Sequence, residues 1–213
     1  DIYVFTTKNF QSMSQDLQNI INHLLLHSSY ISNVSFFHGK MGLVVAMYAY
    51  AKRYSDSYIE EYAWDLLQQV YDGVYADMPI GLEFGLAGIG YATALLYEKG
   101  WIECDLNGVL SDIDSKIMER DPRRIIDFSV RTGAKGLQAY LAIRKKNGTP
   151  LLTFDDMYIT ELNSVLASQS PFNANIDILE LLNKPIFPIR EYIENPIIID
   201  GGSAYYILKE TLV

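Results

Sequence analysis

Apolar residues recur along most of the chain at the 3.6-residue period of an α-helix. Three segments carry a single apolar stripe separated by polar residues, which predicts amphipathic helices that pack one face on a core. These stripes are Leu17, Ile20, Ile21, Leu24 and Leu25; Tyr58, Ile59, Tyr62, Ala63, Leu66, Leu67 and Val70; and Leu106, Val109, Leu110, Ile113 and Ile117. Segments 43–50, 89–97 and 137–143 are apolar nearly all round, which is typical of buried helices. The one short strand-like run, 197–199, has no evident pairing partner, so we predict an all-α fold.

Each buried segment begins with the same small-residue signature. The signatures read HGKMGL from residue 38, FGLAGIG from residue 84 and TGAKGL from residue 132, with a weaker copy, DGGSAY, from residue 200. The leading glycines are Gly39, Gly85, Gly133 and Gly201, separated by 46, 48 and 68 residues. The second glycines are Gly42, Gly88 and Gly136, and Ala204 takes that place in the fourth copy. Such a recurrence indicates a repeat architecture.

The repeats predict about four helical hairpins, each an outer helix followed by an inner helix that a Gly-x-x-Gly motif opens. Segment 176–182 lengthens the last interval and is expected to add a helix or turn. Each glycine costs a helix about 1 kcal/mol relative to alanine, so its repetition indicates a geometric need. Close packing of neighbouring inner helices is the favoured explanation; anion binding at the helix N-termini is the alternative.

Composition and charge narrow the function classes. The chain has 213 residues, 49% of them hydrophobic and 20% charged, which favours one folded domain over residues 1–213. A net charge of −9 argues against nucleic acid or an anionic membrane as a partner. The single cysteine, Cys104, excludes an intrachain disulfide and a zinc site built on several thiolates. No secretory leader precedes Asp1, so a cytoplasmic location is expected.

Charged residues that precede the leading glycines are expected to line one rim of the inner helices. They are His38, Glu83, Arg131 and Asp200. A histidine, two carboxylates and an arginine at one rim could perform acid–base catalysis or bind a polar ligand. The favoured alternative is that the acidic groups cap helix N-termini. Arginine is unfavourable at a helix N-terminus, so Arg131 is expected to form an ion pair with Glu83 or Asp127.

The motifs HGKMG, FGLAGIG and TGAKG, spaced by 46 to 48 residues, resemble the repeats of lanthionine synthetase C-like proteins. The resemblance covers residues 36–144 well and 196–213 weakly. It implies an α/α toroid, which in that family has seven hairpins, so this chain would form a truncated, open or arc-like relative. The family's enzymes are zinc-dependent cyclases that add peptide cysteine thiols to dehydrated serine or threonine residues, with two cysteines and one histidine holding the zinc.

The zinc ligands of that family have no full counterpart in this chain. No cysteine precedes Gly85, Gly133 or Gly201, and only His38 matches a histidine–glycine repeat start. His23 and His27, four residues apart on the first predicted helix, lack a third ligand nearby in sequence. We therefore predict no metal and no cofactor, and zinc-dependent cyclisation by this chain alone is not expected.

Three hypotheses for function follow from these patterns. The leading one is a lanthionine synthetase C-like protein without a zinc centre, which binds a peptide or assists a peptide-modifying enzyme. The second is a metal-independent enzyme on an α/α barrel, such as a glycan hydrolase that uses paired carboxylates. The third is a structural module that a partner or a second copy of the chain completes.

Overall fold

The computed structural model describes residues 14–75, 77–146 and 153–212, and these residues form helices and loops without a strand. The all-α prediction is therefore confirmed for this part of the chain. The helices are α1 (Gln15–His27), α2 (Lys40–Tyr54), α3 (Ser57–Asp72), α4 (Leu86–Glu98), α5 (Leu106–Met118), α6 (Ala134–Lys146), α7 (Asp156–Ala167), α8 (Ile178–Leu181) and α9 (Ala204–Leu212). Shorter 3-10 turns span Ser28–Tyr30, Pro122–Arg124 and Ile189–Glu194.

Helices α1, α3, α5 and α7 are amphipathic and lie on the outside. In α3, the Asp56 carboxylate accepts hydrogen bonds from the amides of Tyr58 and Ile59, at 3.1 and 3.2 Å, and so caps the helix. The buried residues of α3 are Ile59, Ala63, Leu66, Leu67 and Val70, which share one helical face. Tyr58 was predicted within this stripe but is 66% exposed, because it lies about 100° around the helix from Ile59.

Helices α2, α4, α6 and α9 lie inside and form a row in which α9 contacts α2, α2 contacts α4, and α4 contacts α6. Every residue of α2 from Met41 to Ala51 is buried, since neighbours cover all its sides. Among the outer helices, α3 packs on α2, α5 on α4 and α7 on α6, so each of these follows its inner partner in the sequence. The inner helix α9 packs on α1. For α2, α4 and α6, the predicted hairpin of an outer helix followed by its inner helix is therefore corrected to an inner helix followed by its outer partner.

The register of the fourth repeat also differs from the predicted one. In each repeat, the amide after the leading glycine donates to the carbonyl oxygen seven residues earlier. These bonds join Lys40 to Asn33, Leu86 to Pro79, Ala134 to Asp127 and Ser203 to Pro196, at 2.8 to 2.9 Å. The leading glycine of the fourth repeat is therefore Gly202 rather than Gly201, and Tyr205 rather than Ala204 occupies the second position. Gly201 instead has a φ of +77°, a left-handed conformation that glycine adopts readily.

The repeated glycines allow each inner helix to approach the loop that precedes it. A Cβ atom on Gly39, Gly85, Gly133 or Gly202 would lie 2.1 to 2.4 Å from the carbonyl oxygen six residues earlier. On Gly42, Gly88 and Gly136 the corresponding distance would be 1.9 to 2.3 Å. The expected approach between neighbouring inner helices occurs at a different glycine: a Cβ on Gly90 of α4 would lie 2.7 Å from the Tyr140 ring of α6.

The segment between α7 and α9 contains the short helix α8, within residues 176–182 where a helix or turn was expected, and the 3-10 turn Ile189–Glu194. Its residues 174–179 border a pocket of about 530 Å³ with the C-terminal parts of α4, α6 and α9. The Tyr91 hydroxyl of α4 donates to the carbonyl of Ile176 at 3.3 Å, which ties this segment to the inner row. Among the helices of the described ranges, none has the length and apolar character that crossing a membrane requires.

Candidate functional site

The loops that open the four inner helices lie side by side at one end of the molecule. Their backbones are joined at equivalent positions, two residues before each leading glycine. Asp200 donates its amide to the carbonyl of Phe37 at 3.2 Å, Phe37 donates to Glu83 at 3.3 Å, and Glu83 donates to Arg131 at 2.8 Å. The repeats are therefore adjacent in the order fourth, first, second and third, and side chains far apart in sequence meet here.

The four charged residues predicted from the repeat starts form one cluster. Arg131 donates through Nε to Glu83 Oε2 and through Nη2 to Glu83 Oε1, both at 2.8 Å, and Nη2 also bonds to Asp200 Oδ2. His38 Nε2 lies 2.7 Å from Glu83 Oε1 and 3.6 Å from Asp200 Oδ2. We call His38, Glu83, Arg131 and Asp200 the rim cluster.

Residues outside the repeat signatures hold the rim cluster in place. The Asn183 amide nitrogen donates to Asp200 Oδ1 at 2.6 Å, and its side-chain Nδ2 donates to Asp200 Oδ2 at 3.1 Å. Arg131 Nη1 donates to the carbonyl of Leu181 at 3.2 Å, and its guanidinium lies 4.9 Å from the Phe37 ring centroid. Asn183 and Leu181 belong to the irregular segment before α9, so no periodic signal in the sequence identified them.

One side of the rim cluster faces solvent. The side chains of His38 and Arg131 are 25% and 26% exposed, whereas the Asp200 side chain is only 1% exposed. Phe84 is 45% exposed, and its ring stacks on His38 with centroids 4.8 Å apart. His38 and Phe84 occupy the same position in their repeats, immediately before the leading glycine, which explains why their rings meet.

Arg131 controls the electrostatics of the cluster. Partial burial acts to raise the pKa of Glu83, but hydrogen bonds from Arg131 and His38 outweigh it, so this pKa lies below its ordinary value. Burial acts to lower the pKa of Arg131, and its bonds to Glu83 and Asp200 reverse that effect. Glu83 is therefore an ionised acceptor near neutral pH and is poorly suited to donate a proton as a general acid.

The helix-capping interpretation does not hold for Glu83 and Asp200. Their carboxylates accept hydrogen bonds from Arg131 and Asn183, and the carboxylate of Glu83 also contacts His38, instead of binding the first-turn amides of the helices that follow. Of the two expected partners of Arg131, Glu83 forms the ion pair. Asp127 instead accepts from the Thr132 hydroxyl and the Ser129 amide.

The rim cluster also contains donor types that could hold a metal ion, and we tested whether zinc fits. His38, Glu83 and Asp200 each offer a ligand atom, and these atoms lie within 4.8 Å of one another. The donor set is one imidazole and two carboxylates, without the thiolates of the resembled cyclases. Arg131 donates to both carboxylates from within the cluster, so its positive charge occupies the position that a cation would take. A zinc centre of the cyclase type does not fit these residues.

We expect the purified chain to retain far less than one equivalent of zinc after dialysis against a metal-free buffer. The physical reason is that Arg131 already neutralises the carboxylates and would have to leave before a cation could enter. Inductively coupled plasma mass spectrometry of the protein, with the dialysis buffer as the control, checks this. One equivalent of zinc that is lost in a His38→Ala variant would contradict the expectation.

Two other predicted features lie away from the rim cluster. His23 and His27 have ring centroids 4.5 Å apart, and His23 packs edge-on against Tyr192 at 5.3 Å, but no third ligand joins them in the described ranges. Cys104 is partly buried before α5, and burial followed by the nearby Asp105 carboxylate raises the pKa of its thiol. Neither feature adds a reactive group to the rim.

Comparison with models of known protein families and with curated proteins gives no match for this chain. The interpretation of the site therefore depends on its own residues and geometry.

Proposed function

We propose that this chain is a lanthionine synthetase C-like protein without a zinc centre, which binds a peptide at the rim cluster and so assists peptide modification. The observation that carries the proposal is the convergence of His38, Glu83, Arg131 and Asp200 from four repeat starts into one partly exposed cluster. Residues 45 to 69 positions apart in sequence meet there.

The arrangement of the helices supports the proposal that the chain forms an arc of an α/α toroid. The inner helices α9, α2, α4 and α6 form a continuous row, and the outer helices α1, α3, α5 and α7 pack against them. The glycine-opened ends of all four inner helices point to the same end of the molecule, where their loops are hydrogen-bonded. The N-terminal helix α1 packs on the C-terminal helix α9 and so serves as its outer partner, and α9 also contacts α2 of the first repeat.

The exposed side of the rim cluster offers two kinds of contact to a peptide. The Phe84 ring provides an apolar surface, and the adjacent His38 ring provides a nitrogen that can donate to or accept from a peptide group. Arg131 holds the Glu83 carboxylate, and Glu83 in turn fixes the position of His38 through the 2.7 Å contact with Nε2. Such a combination of an aromatic ring and a few fixed polar groups is typical of recognition sites.

The geometry favours binding over glycan hydrolysis. Oxygens of Glu83 and Asp200 come within 4.8 Å of each other, so their separation alone does not remove a hydrolase. A hydrolase, however, needs one carboxyl group with a raised pKa, whereas Arg131 and His38 lower that of Glu83. Asp200 is buried under Arg131 and Asn183, where a sugar oxygen has no access to it.

Selection of a phage-displayed random peptide library on the immobilised chain tests the proposal. We expect selected peptides to lose about tenfold in affinity for His38→Ala and Phe84→Ala, as is usual for central contacts of an interface. Arg124→Ala is the control, because Arg124 is 88% exposed and lies in another loop. Isothermal titration calorimetry gives the dissociation constants, and circular dichroism checks that each variant is folded. Equal affinity for all three variants would contradict peptide binding at the rim cluster.

A further inference from the structure

A second surface feature lies on the outer side of the molecule. A groove of about 420 Å³ is formed by α2, α3 and the loop between α4 and α5. Its lining residues are Tyr48, Ser57, Glu60, Glu61, Trp64, Trp101, Ile102 and Glu103. We call this the tryptophan groove, and none of these residues belongs to the rim cluster.

Both tryptophans of the chain line this groove. Trp64 is 47% exposed although it is large and apolar, and Trp101 is partly exposed. Neither indole N–H has a hydrogen-bond acceptor among the residues that the structure describes. Exposed indole rings are the strongest aromatic acceptors of cation–π contacts.

The charged residues of the groove are all acidic. Glu61 and Glu103 are exposed, and neither has an ion-pair partner within residues 14–75, 77–146 and 153–212. Glu60 is paired with Lys52 at 2.5 Å. Two carboxylates therefore remain uncompensated beside two indole rings, on a chain whose net charge is −9. This combination attracts a cation and repels an anion.

Tyr48 contributes a hydroxyl group to the groove. Tyr48 is 2% exposed and lines the groove, and its hydroxyl has no hydrogen bond to any residue that the structure describes. Burial, and then the charge of Glu60, raise the pKa of Tyr48 to about 12, so the hydroxyl stays protonated and is able to donate. Because this hydroxyl borders the groove and has no hydrogen-bond partner among the described residues, it is available to a ligand.

We propose that the tryptophan groove binds a basic segment of a peptide or protein partner, with an arginine or lysine side chain lying against Trp64 and Trp101 and paired with Glu61 and Glu103. The cation would supply the charge that the two glutamates lack. The backbone of the segment provides carbonyl oxygens that can accept from Tyr48. This proposal is independent of peptide binding at the rim cluster, because the two surfaces share no residue.

Tryptophan fluorescence reports on this groove alone, since the chain has no tryptophan elsewhere. The probe is a short peptide of alternating glycine and arginine, which is free of aromatic residues. Its control is the same peptide with citrulline in place of each arginine, which keeps the shape and removes the charge. We expect the arginine peptide to change the emission in a saturable manner at low salt, and the citrulline peptide to have no effect.

Variants locate the binding in the groove. With a fluorescein-labelled arginine peptide and anisotropy as the readout, we expect Trp64→Ala to weaken binding roughly fivefold. The double variant Glu61→Gln and Glu103→Gln should lose roughly fivefold as well, and less at high salt because ions screen the pairing. Glu194→Gln and Glu180→Gln combined give the matched control, because they remove the same charge at residues outside the groove.

The outcomes separate the proposal from general electrostatic attraction. Equal losses for the groove variant and the control variant would overturn it, as would saturable binding of the citrulline peptide with the same affinity. Absence of any fluorescence change with the arginine peptide would overturn it too. Retained binding in His38→Ala and Phe84→Ala supports it, and keeps it distinct from the proposed function of the rim.

Discussion

Replacing Arg131 by alanine is expected to lower the free energy of unfolding by about 3 kcal/mol, the scale for removing one partner of a largely buried ion pair. Arg131 makes two hydrogen bonds to Glu83 and one to Asp200, whose side chain is 1% exposed. Without the guanidinium, Asp200 would keep a buried negative charge with only Asn183 as a full hydrogen-bond partner. Urea unfolding followed by circular dichroism measures this difference.

Arg123→Ala is the matched control for this experiment. Arg123 also pairs with a carboxylate, that of Asp121, but its side chain is 67% exposed. Exposed pairs contribute about 0 to 1 kcal/mol, so the control should stay within that range. A loss at Arg131 no greater than the loss at Arg123 would contradict the structural role of the rim cluster.

The effect of Arg131→Ala is expected to depend on pH. The pKa of Glu83 in the folded protein lies below its ordinary value of 4.5. A carboxyl group whose pKa is lowered by folding stabilises the protein above its unfolded pKa, and this contribution is lost as pH falls through its folded pKa. The difference in unfolding free energy between the native chain and Arg131→Ala should therefore be largest near neutral pH and shrink below about pH 4.

Replacing Gly88 by alanine is expected to lower the free energy of unfolding by about 3 kcal/mol, at the upper end of overpacking effects. The added Cβ would lie 1.9 Å from the carbonyl oxygen of Leu82. To relieve this contact, either the backbone at Gly88 or the backbone at Leu82 would have to move, which would disturb the loop. That loop carries Glu83, so the rim cluster should also be displaced. Thermal unfolding monitored by circular dichroism measures the loss of stability.

Gly108→Ala provides the control because it makes the same chemical change in a helix. A Cβ on Gly108 would meet only the flexible side chain of Asp105, at 2.6 Å. Alanine favours helix over glycine by up to about 1 kcal/mol, so this variant should be neutral or more stable. If Gly88→Ala and Gly108→Ala behaved alike, the close approach between the α4 helix and its loop would not be what the glycine provides.

The helices themselves were largely predictable because their signals are local. Apolar periodicity located the outer helices α1, α3 and α5 but gave no stripe for α7. Within the predicted stripes, Tyr58 and Val109 are 66% and 39% exposed. The uniformly apolar segments were identified as inner helices because a helix that is apolar on every side has to be covered on every side. Neither signal depends on which helices are neighbours.

The repeat signature also located the residues of the rim cluster, since equivalent positions in repeats lie at equivalent places in a fold. It misaligned the fourth repeat by one residue, at Gly201 instead of Gly202, because two adjacent glycines look alike in sequence. The hydrogen bond from the Ser203 amide to Pro196 and the close approach of Gly202 to the same carbonyl distinguish the two registers.

The sequence by itself determined that the chain is helical, that it repeats, and that His38, Glu83, Arg131 and Asp200 belong at the openings of its inner helices. The tertiary structure decided which helices are neighbours, that Arg131 joins both carboxylates, and that Asn183 holds Asp200. The physical reason is the sequence separation of the contacts. Helix periodicity arises from contacts three and four residues apart, whereas the hydrogen bonds and ion pairs of the rim cluster join side chains separated by 17 to 69 residues. Such contacts leave no periodic trace in a single sequence.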